Sequence, residues 1–72
     1  MKRYQIITYS VDSGSDEKQE YTTQARAASA SRKYRQDKYY DGVMIFDLWR
    51  KHIVKTWGNW PANACPKEEA II

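Results

Sequence analysis

The strongest constraint on the fold is a pair of apolar, β-rich runs in the second half of the chain. The runs are "GVMIFDLW" (42–49) and "HIVKTWG" (52–58), and Arg50 and Lys51 separate them. Branched and aromatic side chains at this density favour strands, and their short separation favours a β-hairpin. Arg-Lys is a poor pair for a two-residue turn, which prefers Asn-Gly, so we expect a longer loop or a bulge.

Both faces of this hairpin are substantially apolar. With a two-residue loop, the alternation assigns one face to Met44, Phe46, Leu48, Ile53 and Trp57, with Lys55 among them. It assigns the other to Val43, Ile45, Val54 and Thr56, with Asp47 and His52 at the turn end. One helix can cover only one face, so the other must stay in water, be covered by the C-terminal segment or meet a partner. A loop longer by one residue would swap the faces of one strand relative to the other.

The first half of the chain predicts a strand, a turn and a second, short strand. Alternation in "RYQIITYSV" (3–11) indicates the first strand, and Asp, Ser and Gly in 12–18 indicate the turn. Residues 19–22 are predicted to form the short strand, which pairs back on the first.

An alanine-rich helix is predicted to follow, with Thr22 or Thr23 as its N-cap and its end near 37–40. The predicted fold is α+β, a small antiparallel sheet of three or four strands with one helix on one face, in the order β-(β)-α-β-β. Residues 1–60 form one domain in this prediction, and 61–72 form an irregular tail because Pro61 and Pro66 oppose regular structure. The predicted core contains Ile7, Tyr9, Ala27, Ala30, Tyr34, Ile45 or Phe46, Ile53 or Val54, and Trp57.

Composition narrows the function classes. The chain has 72 residues and one cysteine, Cys65, so no disulfide can form within it. Cys65 and the single histidine, His52, do not make a zinc set, and neither has a partner at a spacing that suggests nucleophilic or acid–base catalysis. Asp41 and Asp47 are typical of turns and do not indicate a pair of catalytic carboxylates. We therefore expect no enzyme activity, no metal and no cofactor. A lone thiol and the absence of a signal peptide or a long apolar run predict a cytoplasmic protein outside the membrane.

Charge is unevenly distributed along the chain. Segment 12–20 carries four acidic side chains and one lysine, whereas 23–55 carries eight basic and three acidic ones. A basic helix face can neutralise phosphates, with Tyr39, Tyr40 and Trp49 as stacking surfaces for bases, although solvation alone also favours a charged helix face. This predicted basic face consists of Arg26, Arg32, Lys33, Arg35 and Lys38.

An excess of Trp and Tyr favours a binding surface. Trp49 near the hairpin tip and Trp60 beside Pro61 are the expected exposed anchors, because Trp, Tyr and Arg are enriched at interface hot spots. The alternative is that both indoles cap the ends of a small core. The predicted partner-binding residues are Trp49, Trp60, Tyr39, Tyr40 and Arg50. The leading hypothesis is a small non-enzymatic module that acts by protein–protein contact. It either forms a homodimer through the uncovered sheet face or docks on a larger partner as an inhibitor. Nucleic-acid binding by the basic face is the alternative, and no small-molecule substrate is evident.

The order of these features resembles that of short, uncharacterised proteins of bacterial genomes and their phages. Thr23 with Ala27, "YYDGVMIFD" (39–47) and "IVKTWGNWP" (53–61) carry the resemblance. It implies an origin in a mobile element. Many proteins of this size in that setting inhibit host or defence machinery, as anti-CRISPR proteins do.

Overall fold

Four antiparallel strands and one helix make up the structure, a computed structural model that describes residues 1–61. The elements are β1 (Tyr4–Ser10), β2 (Gly14–Tyr21), α1 (Gln24–Arg35), β3 (Gly42–Asp47) and β4 (His52–Gly58). The strand order is β2-β1-β3-β4, and α1 packs across β3, β1 and β2. The predicted α+β class and element order are confirmed. The predicted irregular tail lies, beyond Pro61, outside the described residues.

Strand β2 begins much earlier than the sequence predicts. Its eight residues run from Gly14, so most of the predicted turn at 12–18 is strand. Only 11–13 connect β1 to β2, and Gly14 opens the strand with a φ of 76°. The strand is at an edge of the sheet and its side chains are polar on both faces, so it carries no hydrophobic alternation by which a strand could be predicted.

Helix α1 is capped by Thr23, whose hydroxyl accepts a hydrogen bond from the backbone N–H of Arg26 at 3.2 Å. It ends at Arg35, before the predicted end near 37–40. The helix buries Ala27 and Ser31 completely, whereas the predicted inward residues Ala30 and Tyr34 are only half-buried.

The register of the sheet shows which face the helix covers. Ile6 is opposite Ile45 and Thr8 is opposite Val43, so these four buried residues share a face. Trp57 pairs with Val43 and therefore lies on the same face. The guanidinium of Arg35 from α1 lies 4.3 Å from the Trp57 ring centre, which places the helix over this face.

A two-residue loop would place Trp57 on the same face of the sheet as Met44. The structure shows that this prediction is wrong. The connection between β3 and β4 has four residues, 48–51, and the pairing shifts between Ile45, opposite Lys55, and Phe46, opposite Ile53. This shift leaves Val54 as an extra residue, which reverses the faces along the rest of the strand. The longer loop and the bulge that the Arg-Lys pair predicted are both present.

The second face of the sheet is buried at its centre by the chain itself. Ile7, Met44 and Phe46 form a cluster there, none more than 6% exposed. Leu48, Ile53 and Trp60 pack against this cluster. The main reason for expecting a partner on this face is thereby removed.

Candidate interaction surfaces

The turn between β3 and β4 is fixed by one buried carboxylate. Asp47 is 3% exposed, and its Oδ1 accepts hydrogen bonds from the backbone N–H groups of Trp49 at 3.0 Å and Arg50 at 3.2 Å. Arg3 donates to both carboxylate oxygens at 3.1 and 2.8 Å. The Arg3 guanidinium, helped by the two backbone N–H groups, lowers the pKa of Asp47 to about 2. The turn is therefore held in one conformation by a group that stays ionised.

This turn displays Trp49, which is 57% exposed. The Arg3 guanidinium lies 4.9 Å from its ring centre and restrains the indole, and Arg50 and Lys51 beside it are exposed. We call Trp49, Arg50 and Lys51, with Arg3 beneath them, the hairpin-end patch.

The predicted partner residues Tyr39 and Tyr40 lie at the other end of the sheet. Tyr39 is 51% exposed, and its hydroxyl is 3.0 Å from that of Ser13 in the β1–β2 turn. Its ring packs edge-on against Tyr40, which packs in the same way against Tyr34. These tyrosines and Trp49 therefore do not form one surface.

Trp60, the other predicted anchor, is half-buried. Its indole N–H donates to the carbonyl of Val43 at 3.3 Å, and its ring centre is 5.7 Å from that of Tyr9. It packs on the apolar cluster of the second face. Trp60 therefore helps to close the core, as the alternative interpretation has it, whereas Trp49 stays exposed.

All five residues of the predicted basic face are exposed, but they do not form one surface. At 100° per residue, Arg32 and Arg35 fall on one flank of α1, and Arg26 and Lys33 fall on the other. Arg35 reaches Trp57 in β4, whereas Arg26 lines a shallow depression with Tyr21 of β2. Lys38 follows the helix. Within residues 1–61, none of the five is ion-paired with a carboxylate.

The flank of α1 that faces β4 contains an ordered arginine. Arg35 donates through Nε to the Ser31 hydroxyl at 3.2 Å and through Nη2 to the Ala28 carbonyl at 3.4 Å. Lys55 places its Nζ 5.4 Å from the same Trp57 ring that Arg35 covers. Sequence reasoning missed Ser31, Lys55 and Trp57 as members of this site. The one sequence feature that indicates this site is the spacing of four residues between Ser31 and Arg35, which makes them neighbours on a helix surface.

The uneven distribution of charge along the chain follows the strand order. Acidic β2 and basic β4 are the two edges of the sheet. β2 carries Asp16, Glu17 and Glu20 against Lys18, whereas β4 carries Lys55 and His52 and no acid.

No protein-family profile, curated protein or solved structure matches this chain significantly. The resemblance to bacterial and phage proteins stays a prediction. In the part of the chain that the structure describes, no helix is long and apolar enough to cross a membrane, and no three His, Cys, Asp or Glu side chains are grouped to hold a metal.

Proposed function

We propose that this chain is a small non-enzymatic binding module that contacts a partner protein through Trp49 and Arg50 of the hairpin-end patch. The observation that carries the proposal is an exposed indole on a turn whose backbone is held by the buried Asp47. Trp and Arg are, with Tyr, the side chains enriched at interface hot spots, and a turn that is already ordered loses little conformational entropy on binding.

This proposal has two forms, which differ in the partner. In one, the module is an inhibitor of host or defence machinery, such as an anti-CRISPR protein, acting in the cytoplasm where a lone thiol stays reduced. In the other, the partner is a second copy of the chain. The hairpin-end patch is the contact in both, so one experiment examines them together.

Site-specific photocrosslinking tests the proposal. Benzoylphenylalanine replaces Trp49 in one variant and Val11 in a matched control, and both variants are irradiated in the cells that make the protein. Val11 is a suitable control because it is 74% exposed and lies in the β1–β2 turn, at the opposite end of the sheet. The adducts are sized, treated with nuclease and identified by mass spectrometry.

A discrete protein adduct at position 49 that is absent at position 11 supports the proposal, and its mass separates a foreign partner from a second copy. A nuclease-sensitive adduct, or equal labelling at both positions, overturns it. Purified Trp49→Ala protein should bind the identified partner about thirtyfold more weakly than wild type or weaker still, as expected for a hot-spot residue that contributes about 2 kcal/mol or more.

Nucleic-acid binding is the second candidate, because the five exposed cations of the predicted basic face form no ion pair within residues 1–61. Binding of a random single-stranded oligonucleotide is measured against salt. Phosphate contacts should make the affinity fall steeply between about 50 and about 200 mM salt. Absence of binding at the lower salt eliminates this candidate.

A further inference from the structure

The surface between α1 and β4 has a chemistry of its own. We infer that Arg35, with Arg32 and Lys55 beside it, is a binding site for the carboxylates of an acidic protein segment. This site lies on the flank of the helix above β4, is separate from the hairpin-end patch and does not depend on the proposed role of Trp49.

Arg35 is already ordered for this role. Its guanidinium carbon lies over the Trp57 ring, 4.3 Å from the ring centre, and hydrogen bonds to Ser31 and Ala28 fix its rotation. An arginine side chain has five N–H donors in one plane, and these two bonds use two of them. The remaining donors form a planar fork, which matches the two oxygens of a carboxylate.

The charges around this fork are not balanced by the described part of the chain. Arg35 and Lys55 both place their cationic groups within 5.4 Å of the same ring centre, and Arg32 lines a shallow depression with Arg35. The two ion pairs within residues 1–61 involve Arg3 and Lys18 instead. Neighbouring cations repel one another, so a bound anion that pairs with Arg35 also relieves this repulsion.

An acidic protein segment fits this site better than a nucleic acid does. Single-stranded nucleic acids bind along extended basic grooves with open aromatic faces for their bases. Here the Arg35 guanidinium already lies over the ring of Trp57 and the Lys55 Nζ lies 5.4 Å from its centre, so this ring is not an open stacking surface. Arg26 and Lys33 lie on the opposite flank of the helix, so the cations of this site do not continue along α1 into an extended basic groove.

The test is an NMR titration of the full-length, nitrogen-15-labelled protein with hexaglutamate, and in parallel with hexathymidylate, at low salt. The Arg35 Nε–H and the Trp57 indole N–H report on this site residue by residue. Hexaglutamate should shift both signals in a saturable manner and more strongly than hexathymidylate.

Arg35→Lys is the decisive variant, since it keeps the charge and removes the fork. It should weaken hexaglutamate binding about tenfold, whereas Arg26→Lys on the other flank and Trp49→Ala should leave it unchanged. Absence of saturable shifts, equal losses in Arg35→Lys and Arg26→Lys, or tighter binding of hexathymidylate each overturn the inference. Trp49→Ala removes the residue on which the proposed function depends. Unchanged hexaglutamate binding in this variant therefore shows that this inference can hold or fail independently of the proposed function.

Discussion

Arg3 and Asp47 form a two-pronged ion pair, Nε to Oδ1 at 3.1 Å and Nη2 to Oδ2 at 2.8 Å, although 44 positions separate them in the chain. The pair ties the start of β1 to the end of β3, and the Arg3 carbonyl accepts the N–H of Leu48 at 2.8 Å. The same carboxylate holds the turn that displays Trp49. Stability and the proposed binding surface thus depend on one buried anion.

Asp47→Ala should destabilise the fold by about 2 kcal/mol, because it leaves Arg3 and two backbone N–H groups without their acceptor. Asp47→Asn should cost less, since the amide oxygen can still accept the backbone N–H groups. Denaturant unfolding followed by circular dichroism measures both, with Asp12→Asn as the control at an exposed aspartate. Equal stability of Asp47→Ala and Asp12→Asn would contradict this role.

Stability should also depend on pH through Asp47. Its pKa of about 2 in the folded chain is below the ordinary aspartate value of about 3.9, because Arg3 stabilises the charged form. A lowered folded-state pKa stabilises the protein at pH values above the ordinary pKa, and this contribution is lost as the pH falls through about 4 towards about 2. Wild type should therefore lose more unfolding free energy over this range than Asp47→Asn does. If the unfolding free energies of wild type and Asp47→Asn change in parallel with pH, Asp47 does not cause the loss of stability in acid.

The hairpin could be predicted from sequence because its signals are local. Arg50 and Lys51 lack the backbone preferences of a tight turn, so the longer connection was visible in advance. The position of the bulge could not be predicted, because Val54 is as suitable for a regular strand as its neighbours are. That one extra residue moved Trp57 beneath Arg35 and so created the site between α1 and β4.

The limits of prediction elsewhere have other physical causes. Ser31 is a polar residue and was not expected in the core, yet it is fully buried because its hydroxyl donates to the Ala28 carbonyl at 2.7 Å. Ile6 and Met44 are fully buried because both faces of the central strands are covered, which alternation within one strand does not reveal. The Arg3–Asp47 pair depends on the register of β1 against β3, which the sequence alone did not fix.

Two glycines with similar backbone angles should respond differently to substitution. Gly58 has a φ of 78°, and a Cβ there would clash with the backbone carbonyl oxygen of Asp41. Gly14 has a φ of 76° and no atom within 4 Å of the added carbon. Gly14→Ala should cost about 1 kcal/mol for the left-handed conformation alone, and Gly58→Ala about 3 kcal/mol because the clash is added. Equal unfolding free energies for the two variants would show that the end of β4 moves away freely.

Adjacent threonines at the start of α1 provide a test of the cap. Thr23 accepts the N–H of Arg26, whereas Thr22 lies one residue before the cap, where its side chain cannot replace that acceptor. Thr23→Ala should destabilise the protein by about 1 kcal/mol, and Thr22→Ala should change the unfolding free energy by less than about 0.5 kcal/mol. If Thr22→Ala destabilises the protein more than Thr23→Ala does, the helix begins one residue earlier.

Trp60 and Trp49 should differ in their contributions to stability, because only Trp60 covers apolar residues. Trp60→Ala removes the ring that packs on Ile7, Met44 and Phe46 and should cost about 3 kcal/mol. Trp49→Ala loses a cation–π contact with Arg3 at an exposed site and should cost less than about 1 kcal/mol. Circular dichroism is the suitable signal for both, since each variant lacks one of the three indoles that fluoresce.

The Trp60 variant also tests how the second face of the sheet is closed. Loss of the indole should leave apolar surface accessible, and apolar patches of that kind promote association. Sedimentation velocity over a micromolar concentration series should therefore show stronger association of Trp60→Ala than of Trp49→Ala, in which the second face is intact and the hairpin-end patch is lost. If wild type and Trp49→Ala both associate to the same extent as Trp60→Ala, the second face is available for contact despite its buried cluster, and a dimer through that face becomes the better explanation of its apolar side chains.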